Sequence, residues 1–221
     1  MKEKLYSETI AQKISNFLNE DEWNFLFDAK RGLFKFGLSL RSKLKNINYI
    51  IDVKDDEYVV YAISPLGADE DDKEMMASMA EFVCRANYGL VHGNFELDMR
   101  DGEIRFKCFV DCDGITPTSD MIRNSIHWPA SMFKRYGSGI IDIIFSQSSA
   151  KEAVDQCEKK SKDELRALIS ELEDGAGDDE FGEMISRLSE RLGLSDDESA
   201  DSEGETVHIK TDLFGTEGVD A

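Results

Sequence analysis

Long apolar runs, a surplus of basic residues and histidine are what this sequence lacks. No apolar run approaches the roughly 20 residues that span a bilayer. The nearest, Ile140 to Phe145, is interrupted by Asp142, which excludes an integral helical membrane protein. The first residues, Met1 to Ile10, carry no apolar signal-peptide core, so a cytoplasmic location is expected. In that reducing compartment Cys84, Cys108, Cys112 and Cys157 are expected as free thiols. The 26 basic residues face 46 acidic ones, a net charge of -20 with no segregated basic patch. Such a balance repels nucleic-acid phosphates and anionic lipid, so neither is expected as a partner. With three histidines in 221 residues, few groups suit general acid–base work near neutral pH.

What is present is a core-forming pattern followed by an acidic extension. Residues 158 to 221 hold 20 of the acids and 7 of the bases, so the charge is concentrated there. Hydrophobic residues make up 41% of the chain, enough to bury a core without a metal or disulfide.

Ile10, Ala11, Ile14, Phe17 and Leu18 recur at helical spacing behind Ser7, a candidate N-cap, and predict a helix over 7–20. The period then becomes two. Trp23, Phe25 and Phe27, then Phe34 to Leu40, predict a hairpin; Ile47 to Val53 and Tyr58 to Ile63 predict two more strands. Asp69 to Asp72 precede a second helical stretch, Met76 to Ala86. Phe95, Leu97 and Met99, then Asp101-Gly102, then Ile104 to Val110 predict a hairpin. A helical stretch opens at Thr116 to Thr118, with Pro129 breaking or kinking it, Gly137 and Gly139 interrupting it, and a last core helix starting near Ile140.

Strands thus follow and precede helices without βαβ alternation. The expected class is α+β, a twisted antiparallel sheet flanked by helices in the order α-β-β-β-β-α-β-β-α. It is expected to occupy residues 1–157. A helical extension over 158–194 follows, with apolar stripes through Leu165 to Leu172 and Phe181 to Leu192 and a turn at Asp174 to Asp179. Residues 195–221 form an acidic tail of disordered composition. Its Val207, Ile209, Leu213 and Phe214 make a short apolar patch, the candidate partner-binding segment.

Candidate chemistry is thin. Cys108 and Cys112 flank Asp111 beside Asp113, but a lone Cys-x3-Cys without a second pair falls short of a zinc site. Asp111 to Gly114 begins like a calcium loop, yet Thr116 stands at the glycine position and Ile122 at the glutamate position. His127 has Ser125 and Ser131 near it in sequence without a nucleophile elbow or second base. His92 reads as a turn residue and His208 falls in the tail. Gly137-Ser138-Gly139 lacks the lysine and preceding strand of a phosphate loop. Neither catalytic residues, metal ligands nor cofactor-binding residues are expected.

The segment RANYGLVHGNFELD, Arg85 to Asp98, followed by MRDGEIRF, Met99 to Phe106, resembles the YbjN-domain family of bacterial proteins. The likeness extends to Trp23–Leu40, to YVVYAISP at Tyr58–Pro65 and to HWPASMFKRYGSG at His127–Gly139, covering about residues 5–157. The resemblance implies a fold similar to type III secretion chaperones, protein binding, a regulatory role and no enzymatic activity. A chaperone-like protein-binding module is therefore the expected function, with strand addition at a sheet edge as its mode. Two alternatives stand beside it: a ligand sensor or enzyme with a cleft near Cys112, Asp113 and His127, and a homodimer paired through the C-terminal helices.

Overall fold

A computed structural model describes residues 5–146 and 148–175. The chain divides into two compact units, Met1–Ala167 and Leu168–Ala221. The first is α+β, built in the order α1 (Glu8–Glu20), β1 (Leu26–Asp28), β2 (Leu33–Ser39), β3 (Asn46–Val53), β4 (Glu57–Ile63), α2 (Lys73–Asn87), β5 (Asn94–Leu97), β6 (Ile104–Asp111) and α3 (Ser119–Ser146), followed by α4 (Ala150–Gly175). All six strands join one antiparallel sheet in the order β1-β2-β3-β4-β6-β5.

Strand alternation makes one face of this sheet apolar. Phe34, Ile51, Val60 and Cys108 form one cross-strand row, and Phe36, Tyr49, Ala62, Phe106 and Phe95 the next. All are buried in a single core, beneath α3 on β4 and β6 and α2 on β5. The opposite face ends in charge. Glu96 receives both Arg105 Nε at 2.8 Å and Lys107 Nζ at 2.5 Å, and the Arg105 guanidinium lies 4.5 Å over the Tyr61 ring. Such a row is how an antiparallel sheet tolerates water on one side.

Local signals set most element ends. Ser7 Oγ accepts the Ile10 N–H, and Asp72 Oδ1 accepts the N–H groups of Glu74 and Met75, so α1 and α2 begin on side-chain caps. The β5–β6 turn differs from the expected two-residue form. Asp98 N–H donates to the Glu103 carbonyl, which puts Met99 to Gly102 in the turn and leaves Met99 exposed. Gly102 has φ +72°, and a Cβ there would stand 1.9 Å from the Ala68 carbonyl oxygen, so only glycine fits. The first strand is also shorter than the alternation predicts: Trp23 and Phe25 precede β1 and pack as rings against Phe36 and Phe34.

The largest departure from expectation is α3, a single 28-residue helix that runs through Pro129, Gly137 and Gly139. Proline removes an N–H and crowds the carbonyl four residues back. Around this point the helix is tied to the sheet: the Tyr49 hydroxyl donates to the Ile126 carbonyl at 2.7 Å, and the Tyr58 hydroxyl lies 3.3 Å from Ser125 Oγ. The glycines are notches rather than breaks. A Cβ on Gly139 would meet the buried Phe82 ring at 2.5 Å and Cys157 Sγ at 3.0 Å, and one on Gly137 would meet Leu44 Cβ at 3.1 Å. Helix α3 therefore does not restart near Ile140. Helix α4 crosses residue 157 unbroken, and its buried Ala153, Val154 and Cys157 belong to the same core. The second amphipathic stretch, most of the turn expected before it, and the tail lie outside the described residues.

Gly139→Ala is expected to destabilise the fold by about 1–3 kcal/mol through overpacking. That outweighs the gain of about 0.5–1 kcal/mol in helix propensity, and urea unfolding reads the sign. Burial also drives the phenols of Tyr49 and Tyr58 far above their ordinary value and that of Tyr136 up to about 12. The unfolded chain thus loses these protons first. Their contribution is complete below about pH 10 and falls as pH rises, by about 1.4 kcal/mol per pH unit for each buried phenol. Urea midpoints between pH 9 and pH 11.5 are expected to drop with that steepening slope, and a flat profile contradicts the burial of these hydroxyls.

Candidate functional site

The hydrogen-bond directions along β6 leave a strand segment with an open side beside a hollow. The Ser64 N–H donates to the Ile104 carbonyl, and the Asp98 N–H to the Glu103 carbonyl. In an antiparallel ladder the bonding direction alternates. Phe106, Cys108 and Val110 therefore exchange bonds with β4, whereas Arg105, Lys107, Phe109 and Asp111 turn their backbone groups the other way. Strand β5 takes Arg105 and Lys107 through Glu96 and Asn94 and ends there. No described strand lies beside Phe109 and Asp111.

The outer side of β5 is treated differently. The Asn87 carboxamide, at the last residue of α2, donates through Nδ2 to the Phe95 carbonyl at 2.9 Å and accepts the Phe95 N–H through Oδ1 at 2.7 Å. One side chain thus reproduces both bonds of a neighbouring strand and blunts this edge. Two residues on, Gly89 takes φ +87° as the chain leaves the helix.

Beside the open part of β6 lies a cleft of about 640 Å³ between that strand, α3 and the loop before β5. Cys108, Phe109 and Val110 form one wall. The other is a helical stripe of α3 at intervals of three and four, namely Met121, Asn124, Ser125, Trp128 and Ser131. His92 closes one end, edge-on to the Trp128 ring at 5.7 Å between centroids. The lining is chiefly apolar. The Trp128 indole N–H is buried with no hydrogen-bond partner among the described residues, a desolvated donor beside the cleft.

The residues proposed from sequence are not brought together. His127 lines the cleft on the exposed side of α3, its ring 6.2 Å from Trp23. Cys112 is buried below the end of β6, with Sγ 3.9 Å from the Val110 carbonyl oxygen. Asp113 is exposed in the following turn, its N–H bonded to Asp111 Oδ1. Neither of the last two lines the cleft. Ser125 Oγ donates to the Ile122 carbonyl at 2.8 Å and also meets the Tyr58 hydroxyl, away from either imidazole's bonding reach.

Burial pushes the thiols of Cys108, Cys112 and Cys157 up, and nearby Asp111 and Asp56 add to the effect at Cys112. These thiols are held protonated, which opposes both nucleophilic and metal-binding roles. Among the described residues no group of three or more His, Cys, Asp and Glu side chains is placed to hold a metal ion. No described helix is long and apolar enough to cross a membrane. Val207, Ile209, Leu213, Phe214 and His208 lie outside the described residues.

The chain matches no protein-family model and no curated protein. Phe109, Trp128, Asn124 and Asn87 escaped the sequence reading. The only signal for the cleft was the α3 stripe, which is indistinguishable in sequence from ordinary core packing.

Asn87→Ala is expected to cost about 1–3 kcal/mol, because the Phe95 N–H loses its acceptor at a buried position and the Phe95 carbonyl keeps only the Asn94 carboxamide at 3.2 Å. Asn87→Asp is expected to be no better, since it cannot donate to the Phe95 carbonyl. Chemical denaturation, with amide exchange at Phe95 as the local probe, checks both.

Proposed function

We propose that this protein is a non-catalytic, chaperone-like protein-binding module of the bacterial cytoplasm, with a regulatory role, related to the YbjN-domain family that its Arg85–Phe106 segment resembles. The observation that carries the reading is the conjunction at β6. The outward backbone groups of Phe109, beside which no described strand lies, run along an apolar cleft with those of Asp111 just beyond it, while the neighbouring edge at Phe95 is closed by Asn87. An extended segment joining that edge completes the ladder and inserts alternate side chains under α3. Dispersed polar groups and protonated thiols support binding rather than turnover.

A second reading, a small-ligand site in the same cleft, is favoured by its volume and its mainly apolar wall, both typical of ligand pockets. The two readings differ in what they need from the ligand's backbone.

Selection of unstructured decapeptides from a display library on the full chain is expected to enrich sequences with apolar residues at alternate positions. Their binding is expected to be lost on N-methylation of the central residue. Asn124→Trp, which places a bulky ring on the exposed side of the cleft, is expected to abolish binding while leaving the urea midpoint within about 0.5 kcal/mol of wild type. Enrichment of helical sequences, or indifference to both changes, contradicts strand addition. Thermal stabilisation by small apolar compounds without any peptide binding supports the second reading.

A further inference from the structure

We infer that the strand accepted by β6 is basic as well as apolar: apolar side chains at two alternate positions, with Lys or Arg adjacent at the Asp111 end. The inference rests on the strand-addition reading and adds the chemistry of the occupant.

Spacing dictates the apolar part. In an added strand, the residue opposite Phe109 shares its face and points away from the helices, while the residues on either side of it point toward the face of Cys108 and Val110. Those two side chains enter the cleft, where Val110, Met121 and Trp128 offer apolar surface. The pattern is apolar–any–apolar.

Charge dictates the rest. The two walls run in opposite directions, and at one end both leave the cleft through acids: Val110 is followed by Asp111 and then Asp113, and Met121 is preceded by Asp120. Asp120 is paired with Arg123. Asp111 and Asp113 are exposed and make no ion pair among the described residues; the one side-chain bond between them is the Asp113 N–H to Asp111 Oδ1. The Asp56 carbonyl accepts the Cys112 N–H at 2.8 Å, which brings the acidic β3–β4 turn, Asp55 to Glu57, to the same end of the sheet. The cation at the opposite end, Lys107, is already held by Glu96. The cations at that end, Lys54 and Arg123, are already paired with Asp52 and Asp120, so among the described residues Asp111 and Asp113 leave negative charge at this mouth without an ion-pair partner. The net charge of -20 favours the approach of a cationic segment.

The test uses the full chain and three fluorescent peptides with a common Val-Thr-Val centre, flanked by Lys, Gln or Glu, read by anisotropy at low salt. The Lys peptide is expected to bind about tenfold more tightly than the Gln peptide and the Glu peptide more weakly still, with the spread shrinking as salt rises. Asp111→Asn with Asp113→Asn is expected to erase the spread while preserving binding of the Gln peptide. Equal binding of all three, still lost in Asn124→Trp, overturns the charge preference and leaves strand addition standing. Equal binding of the Lys peptide and its N-methylated form overturns the inference by showing attraction to an acidic surface alone. No binding by any of the three overturns both.

Discussion

Everything in the folded unit depends on attaching one long helix to one face of the sheet. Helix α3 is a poor helix by local rules, with a proline near its middle and two glycines in its second half, and it persists because the sheet and its neighbours supply what the sequence withholds. Tyr49 and Tyr58 reach up from the buried face to the backbone and Ser125 near Pro129. Gly137 and Gly139 let Leu44, Phe82 and Cys157 approach the helix axis. Phe133 and Tyr136 in turn meet the edge of Phe95. The features that weaken the isolated helix are the ones that let it pack.

With the apolar face committed, the sheet's margins become the places where backbone groups need partners. The protein resolves them unequally. Asn87 closes β5 with a single side chain, and the Glu96–Arg105–Lys107 cluster finishes the open face with charge. The last residues of β6 receive neither treatment, because β5 is short and the chain turns away at Gly93, where a Cβ would press on the Lys107 carbonyl oxygen at 2.5 Å. A shortened neighbour strand and a helix passing overhead create the cleft together. The cleft follows from the lengths of its walls, and its polarity follows from the acids that flank them.

The same packing separates the described groups that invite chemistry in the sequence. The cysteines that invite a metal or nucleophile in sequence sit in apolar surroundings or beside carboxylates, which favour the protonated thiol. His127 adjoins Trp128 on the chain and His92 meets its ring edge-on, yet no carboxylate or hydroxyl among the described residues is bonded to either imidazole to orient it as a base.

Periodicity made much of the fold legible: the α+β class, the six strands, α1 with its Ser7 cap, α2 behind its acidic run, and which residues face the core along Ile47 to Val53 and Ile104 to Cys108. Those properties are decided within a few residues by alternation, helical spacing and capping. Three things lay beyond that reach. Residues 119–146 looked like broken helices because propensity is local, whereas the bond that ties the helix to the sheet beside Pro129, from the Tyr49 hydroxyl to the Ile126 carbonyl, spans 77 residues of chain. The doubling of Asn87 as a strand partner depends on where α2 ends relative to β5. The cleft arises from strand register, since only the pairing of β5 with Arg105 and Lys107 leaves Phe109 uncovered. The sequence by itself determined which elements form; the tertiary structure alone decided which of their backbone groups remain unpaired, because that depends on where separate elements stop against one another.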